Sequence, residues 1–355
     1  MSRSSTNPGT GSRTLRLGTR RSALAMAQSG WVAARIEAAA AAAGEPVRVE
    51  LVEVSTHGDL SDAPLTSFGG AGVFVSRLRE ELLAGSVDLA VHSLKDLPTA
   101  PADGLLLAAV PEREDPRDVL VARDGLTLAE LAEAAGGAVI GTGSPRRAAQ
   151  LRALYPGLQV VGLRGNVDTR MGRVGTDLDA VVLAHAGLRR LGRAGAVSEV
   201  LEAERMTPAP GQGALAIECR SAAGDARVAR LLGRLDDLPT RLAVLAERSL
   251  LAALEAGCSA PLGALARLTG DRLSLDATLA AVDGSRLMRR SASVDLPPDD
   301  PAQALKAADA LGVMLAAEML SDGAADLVGG GSEQSAGQRA EQSTVTTSSA
   351  RDGAR

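Results

Sequence analysis

Short apolar strands alternate with polar turns and helix-spaced stretches through the first 220 residues, and no other feature constrains the fold as tightly. Residues 14–19 (TLRLGT) and 47–54 (VRVELVEV) read as strands. Between them, SALAMAQSGWVAARIEAAA carries apolar residues at helical spacing behind a capping Ser22, which completes a βαβ unit. The same rhythm returns at 87–94, 138–144, 158–166, 178–187 and 214–220. Such alternation predicts mainly parallel sheets covered by helices on both faces. After about residue 236 the pattern changes to a helix, three strand-like runs (LGALARL, RLSLDATLAAV, SRLMRRSASVDL) and a second helix from Ala302 to Leu320. That reads as a small α+β domain with an antiparallel sheet. Residues 1–12 and 329–355 are rich in Gly, Ser and Thr without apolar periodicity and read as disordered ends.

With 355 residues, 45% of them hydrophobic, the chain can bury two or three cores. No apolar run reaches the roughly 18–20 residues of a membrane span, and the N-terminus has no apolar h-region. A soluble, cytoplasmic protein is expected. Cys219 and Cys258 are too few and too far apart for a disulfide framework or a metal pair, and His57, His92 and His185 show no zinc-ligand spacing. No metal site is expected. Aromatic residues make up only 1% of the chain and its net charge is −5, which together disfavour nucleic acid as a partner.

The cations are unevenly chosen: of 38 basic residues only Lys95 and Lys306 are lysines, so 36 are arginines. Arg grips carboxylate or phosphate with a planar fork, whereas Lys offers a point charge. Four turns that follow strands concentrate this charge beside Gly, Ser or Thr: GTRRSALA from Gly18, VHSLKDLPT from Val91, GTGSPRRAAQL from Gly141 and LRGNVDTRMGRV from Leu163. Each alone is the ordinary make-up of a solvated helix cap. Four at probable helix starts suit a ligand with several anionic groups. Nucleotide fingerprints fail: Arg146 stands where a dinucleotide motif needs its third Gly, and no GxxxxGK[ST] occurs. A polyanion other than a nucleotide fits better. Asp96, next to Lys95, is a carboxylate among cations and could stabilise positive charge developing on a substrate nitrogen, although a lone Asp there is commonly a cap or surface pair. Cys258, in the loop EAGCSAPLG after a helix, is placed as an accessible thiol, whereas Cys219 in ALAIEC reads as buried and inert.

From about Leu15 to Leu327 the chain resembles the porphobilinogen deaminase (hydroxymethylbilane synthase) family. The resemblance rests on LGTRRSALAMAQ, GDLSDAPL, VHSLKDLPT, EREDPRDVLV, GTGSPRRAAQL, LRGNVDTR, DAVVLAHAGLRRLG, PAPGQGALAIECR and LEAGCSAPLGA, nine segments in the family's order. It implies an α/β fold of three domains: two like type II periplasmic binding proteins, joined by hinge crossovers, and a small C-terminal α+β domain. Domain 1 would take 13–113 and 212–234, domain 2 114–211 and domain 3 235–328.

The resemblance also implies the chemistry. Four porphobilinogen molecules are condensed head to tail with loss of ammonia on an enzyme-bound dipyrromethane primer, and hydroxymethylbilane is released by hydrolysis for tetrapyrrole and heme biosynthesis. The primer is a thioether of Cys258. Asp96 is the catalytic carboxylate, stabilising protonated pyrrole and azafulvene species as ammonia leaves. Each ring carries an acetate and a propionate, which Arg20, Ser22, Lys95, Ser144, Arg146, Arg147, Arg164, Arg170 and Arg190 match family positions for holding. Thr142, Ala184 and Gln212 line the cofactor and substrate cleft by the same match, and Phe74 packs near the incoming ring. A cytoplasmic monomer that hands its product to uroporphyrinogen-III synthase is the associated expectation.

Other readings stand beside this one: an inactive paralogue, a non-catalytic carboxylate-binding protein of the same fold, and a covalent-thiol transferase with another substrate. One departure bears on the first. Many family members carry lysines in a loop of the form AKxGGKGLF, where this chain reads TSFGGAGVF from Thr66, so Ser67 and Ala71 cannot donate those charges. Ala71→Lys is therefore expected to lower the Michaelis constant for porphobilinogen; an unchanged constant in steady-state assays would show that the missing charge is of no consequence.

Overall fold

The computed structural model describes residues 13–54, 72–134, 136–254 and 260–327, with no side-chain description for 72–74. The two ends read as disordered, Cys258 and the loop positions Ser67 and Ala71 lie outside the described residues. The chain divides into two compact units, Met1–Arg113 with Ala214–Asp237, and Glu114–Gly213 with Leu238–Arg355.

The first unit begins with β1 (Arg13–Thr19), α1 (Ala23–Ala42), β2 (Val47–Glu53), α2 (Gly72–Leu83), β3 (Leu89–Ser93) and β4 (Leu105–Ala109). The second continues with β5 (Asp118–Ala122), α3 (Leu128–Glu133), β6 (Val139–Thr142), α4 (Pro145–Leu154), β7 (Gln159–Gly162), α5 (Val167–Met171), β8 (Ala180–Ala184), α6 (His185–Arg190) and β9 (Glu199–Leu201). The chain returns to the first unit for β10 (Leu215–Arg220) and α7 (Ala226–Leu232). It closes in the second unit with α8 (Leu238–Ala253), β11 (Leu262–Thr269), β12 (Arg272–Ala280), β13 (Leu287–Asp295) and α9 (Pro301–Ser321).

Two five-stranded sheets share one plan, in the orders β2-β1-β3-β10-β4 and β7-β6-β8-β5-β9. In each, one strand runs against both neighbours: β10 against β3 and β4, and β5 against β8 and β9. The sheets are thus mixed: four strands of each run one way, as the alternation predicts, and the fifth runs against them. Apolar periodicity records which faces of a strand are buried but not its direction, so β5 and β10 look like their neighbours in sequence. The alternation read from the sequence does not mark strands β4, β5 and β9. The third sheet is an antiparallel meander, β11-β12-β13, as its alternating runs predict.

Both faces of the two larger sheets are buried. In the first unit Leu15, Leu17, Leu89, Val91 and Ile217 pack against Val32 and Ile36 of α1 and Val228 and Leu232 of α7. Ala90 on the opposite face meets Leu78 and Leu82 of α2. In the second unit Leu120, Ile140 and Val182 pack on Leu128, Leu131 and Leu151, while Val119, Val121, Val181 and Leu183 face Leu163 and Leu188. Adjacent residues belonging to opposite cores is the period-2 signature of a strand covered on both sides. The meander buries one face under α8 and α9 through Leu242, Ala246, Leu250, Ala308, Leu311 and Leu315. Within the second unit it is also tied to the five-stranded part: Ala264 N–H donates to the Pro208 carbonyl at 2.8 Å, and the Thr207 and Thr278 hydroxyls lie 2.7 Å apart. Among the described residues, no helix is long and apolar enough to cross a membrane.

One charged group lies inside the first unit. Glu218 of β10, opposite Ala90 in register, accepts from Arg79 Nε and Nη2 at 3.0 and 2.8 Å and sits 3.2 Å from His92 Nε2. Burial raises its carboxyl pKa, but His92 and Arg79 more than offset that and hold it at about 2, against an ordinary 4.5. A carboxylate depressed in the folded state contributes stability above its unfolded pKa and loses it as pH falls through the folded one. The window is therefore pH 4.5 down to about 2, and the contribution is on the order of 3 kcal/mol at 1.36 kcal/mol per pKa unit. Urea titrations across that window should show wild type losing stability with acid while Glu218→Gln starts lower and loses less.

Candidate active site

In both larger sheets the predicted residues gather at the carboxyl ends of parallel strands. Strands β1 and β3 of the first unit are hydrogen-bonded neighbours running the same way, so the turns that leave them are adjacent. Arg20 and Ser22 lie in the first turn, where Ser22 caps α1 by accepting from Ala25 N–H at 3.3 Å. Lys95 and Asp96 lie in the second, a short 3-10 turn directly after β3, both half-buried. Gln28 of α1 links the two by donating from Nε2 to Ser93 Oγ at 3.0 Å. Beneath them the Ser29 hydroxyl donates to Thr19 Oγ1 at 2.8 Å. The backbone on either side of Asp96 is pinned by Leu94 N–H donating to the Ala214 carbonyl at 3.0 Å and Leu97 N–H donating to the Leu94 carbonyl at 3.1 Å, at the end of a strand, where ligands of α/β folds bind.

In the second unit β6, β7 and β8 run parallel and end together. Thr142 closes β6, and its Oγ1 accepts from Ser144 N–H at 3.3 Å. Ser144 caps α4, accepting from Arg147 N–H at 3.4 Å, with Pro145 in the first helical turn where a missing N–H costs nothing. Arg146 and Arg147 then project from the first turn into the interior, 3% and 5% exposed. Arg164 follows β7 and is exposed, Arg170 sits on α5, Ala184 closes β8, and Arg190 ends α6.

A residue that sequence reasoning did not single out organises this end. Asp118, the first residue of β5, is fully buried and accepts from Arg147 Nε and Nη2 at 3.0 and 2.8 Å, with Arg146 Nη1 2.8 Å from its other oxygen. Gln212 donates to the same carboxylate and to the Pro116 carbonyl, each at 2.7 Å. Burial raises the Asp118 pKa, but the two guanidinium charges hold it far below the usual carboxylate range. Arg146 is lowered, first by its own burial and then by Arg147, with Asp118 opposing. The only signal in the sequence was the position of Asp118 in EREDPRDVLV, one of the segments that carries the family resemblance.

Arg170 and Arg190 differ from that pair. Arg170 donates Nε to the Gly165 carbonyl at 2.8 Å and Arg190 donates Nη2 to the Gly213 carbonyl at 2.7 Å. Neither forms an ion pair with a carboxylate among the described residues. Burial lowers the pKa of both, reinforced at Arg170 by the charge of Arg147. Arg146 Nε is a buried donor without a hydrogen-bond partner among the described residues. One aspartate for two buried arginines, two further half-buried arginines held by carbonyls and an unsatisfied donor leave this strand end with net positive charge. A ligand bearing several carboxylates would meet that demand. A dipyrromethane, with an acetate and a propionate on each ring, fits this donor set. Cys258, the attachment position that the family resemblance implies, lies outside the described residues, between the end of α8 and the start of β11, and Phe74 lies in the first turn of α2 without a described side chain. The other thiol, Cys219, is buried in β10, and burial raises its pKa to about 11, so it is inert. No group of His, Cys, Asp and Glu suited to a metal ion occurs among the described residues.

Two family models match the chain: "Porphobilinogen deaminase, dipyromethane cofactor binding domain" over residues 15–229 and "Porphobilinogen deaminase, C-terminal domain" over residues 241–321. Among curated relatives, a porphobilinogen deaminase of Cutibacterium acnes is 53% identical over 332 residues, covering 88% of this chain and 96% of its own. That of Thermobifida fusca is 54% identical over 317 residues (88% and 95%). Porphobilinogen deaminase 1 of Streptomyces avermitilis is 56% identical over 327 residues (89% and 97%).

Removing the carboxylate at the centre of this cluster should be severe. Asp118→Ala leaves Arg146 and Arg147 buried without a counter-charge and should cost about 3–5 kcal/mol in urea unfolding. Arg170→Ala, which removes a cation not engaged by a carboxylate, should cost no more than about 1 kcal/mol in the same measurement.

Proposed function

The chain belongs to the porphobilinogen deaminase family, and from that membership, taken with the unneutralised arginines at the strand ends, we infer that it condenses four porphobilinogen molecules into hydroxymethylbilane. Each coupling forms a carbon–carbon bond between the aminomethyl carbon of one ring and the free α-carbon of another. The carbon–nitrogen bond breaks, ammonia leaves, and the α-carbon gives up its proton. The family's dipyrromethane cofactor supplies the ring on which the first substrate is placed.

The single observation that carries the reading is the arginine set of the second unit. Arg170 and Arg190, half-buried and hydrogen-bonded to carbonyls, bind substrate and cofactor carboxylates with forked donors, and Ser144 and the α4 N-terminus add hydrogen-bond donors at the same strand ends. Arg146 and Arg147 act largely through Asp118, giving the site a fixed positive field and a rigid wall. Arg20, Ser22 and Lys95 do the corresponding work in the first unit. Asp96 stabilises positive charge as it develops on a pyrrole nitrogen when ammonia departs, and its fixed backbone spares the reorganisation that a mobile carboxylate would require. Cys258 is the thiol to which the cofactor is joined. Thr142, Ala184, Gln212 and Phe74 shape the surface around the rings. The protein acts as a cytoplasmic monomer and passes its product to uroporphyrinogen-III synthase.

Intact mass spectra of the purified protein and of Cys258→Ser, before and after adding porphobilinogen, test this directly. Wild type should carry the mass of two linked pyrrole rings, Cys258→Ser should lack it, and substrate should add a ladder of single rings to wild type alone. A folded wild-type protein of bare mass that never climbs would instead favour the inactive paralogue, in keeping with Ser67 and Ala71.

A further inference from the structure

His185 has no part in the site as described, yet it is the first residue of α6, directly after Ala184 and five residues before Arg190. Its Nδ1 lies 3.0 Å from Asp115 Oδ2, and its backbone N–H donates to the Arg117 carbonyl at 3.0 Å. Ring and carboxylate are 14% and 15% exposed. Asp115 is fixed in turn by Arg117, which donates from Nε at 3.1 Å, Nη2 at 2.8 Å and its backbone N–H at 2.9 Å. Burial raises the Asp115 pKa, but the hydrogen bonds from Arg117 and His185 hold it well below the usual carboxylate range. Facing an ionised oxygen, Nδ1 of His185 carries a proton.

The rest of α6 is fastened to the same segment. One turn after His185, Arg189 pairs with Glu114 at 3.3 Å. Arg190 Nη2 donates to the Gly213 carbonyl at 2.7 Å, which also accepts from Glu114 N–H at 3.3 Å. The charged groups around the ring are thus Glu114, Asp115 and Arg117 on one segment, Arg189 and Arg190 on its own helix, and Glu202, 3.2 Å from Arg117 Nη1. A six-residue helix is far too short to hold its own conformation, so what its side chains grip sets its orientation. The gripped segment, 114–117, runs directly into Asp118.

We propose that His185 is a positioning residue for carboxylate binding: through Asp115 it locks the helix that carries Arg190 against the strand that carries Asp118. The proposal rests on the function inferred above, because the carboxylates are those of porphobilinogen and of the chain it builds. His185 does not touch the reacting atoms. It places a guanidinium that does the binding, so it acts on substrate affinity and not on the bond-forming step.

The test is steady-state kinetics on holoenzyme whose dipyrromethane load has been confirmed by mass. His185→Ala should raise the Michaelis constant for porphobilinogen about ten-fold with kcat within about two-fold of wild type. His185→Gln, whose amide N–H can still reach Asp115, should recover most of the loss. Asp115→Asn should weaken binding to a similar degree, and the double variant His185→Gln/Asp115→Asn should be no worse than Asp115→Asn, because the two side chains act through one contact. An unchanged Michaelis constant in a folded His185→Ala, a fall in kcat alone, or strict additivity in the cycle would each overturn the proposal. If His185→Ala does not fold, the Gln and Asn variants carry the cycle. A wild-type protein without bound dipyrromethane, or one that builds no bilane, would instead overturn the functional reading.

Discussion

Two guanidinium groups converge on the carboxylate of Asp118, and the functional end of the second α/β domain is arranged around that buried cluster. Its position follows from strand direction. Because β5 runs against β8, its first residue, Asp118, lies opposite the last residue of β8, Ala184. Had β5 been parallel, Asp118 would lie at the far edge of the sheet, away from the turns that carry Ser144, Arg164 and Arg190. Charges this deep attract strongly but are costly to desolvate, so they persist only when hydrogen bonds fill the remaining valences. Gln212 and the carbonyls of Val182 and Thr207 supply most of those bonds, Arg146 Nε excepted. The cluster therefore fixes α4, β5, β8 and the loop before β10 relative to one another. The rest of the site is built on that frame.

The arginines of this end divide by what they hold. Arg146 and Arg147 are committed to Asp118, and their rigidity keeps the field at the strand ends positive without any motion at the moment of binding. Arg170 and Arg190 rest on carbonyls, a contact that leaves the full charge in place. A guanidinium partly stripped of water and, among the described residues, in hydrogen-bonding contact with no carboxylate favours a ligand that supplies one, and its planar fork matches a carboxylate. The family's substrate, two carboxylates to a ring, suits that selection. Binding thus draws on an electrostatic deficit already built into the fold.

Much of this was legible in the sequence. The βαβ rhythm marked seven of the ten strands of the two larger sheets, the late change of pattern gave the meander, and Ser22 was readable as a cap because it precedes a helix-spaced run. The cation-bearing turns were legible because four of them recur at helix starts, although each alone is the make-up of an ordinary solvated cap. Strand direction was not, since a doubly buried strand has the same apolar pattern either way. Asp118 and Glu218 were missed for a related reason. A carboxylate inside a strand looks like a surface residue until its partners, Arg146 and Arg147 or Arg79 and His92, are brought to it from 28 to 139 residues away in sequence. The role given to Cys258 came from family resemblance, for nothing in the spacing of one loop cysteine distinguishes a cofactor anchor from an incidental thiol.

Three consecutive residues, Gly211, Gln212 and Gly213, show why side chains are withheld next to the site. Gly211 donates its N–H to the fully buried Glu247 of α8 at 2.6 Å, and Glu247 also accepts from Ala266 N–H at 2.9 Å, joining the loop to the domain of the meander. Gln212 reaches the Asp118 cluster, and the Gly213 carbonyl receives Arg190. Gly213 adopts φ +89°, and a Cβ there would lie 2.3 Å from the Glu114 carbonyl oxygen, closer than any side chain can approach backbone. Gly211, at φ +72°, is also in the left-handed region. Both glycines are needed so that two backbone groups and the side chain between them can face three different elements. Their cost in chain entropy is offset because one short loop then sets the helix that leads toward Cys258, the arginine cluster and Arg190 in a single geometry.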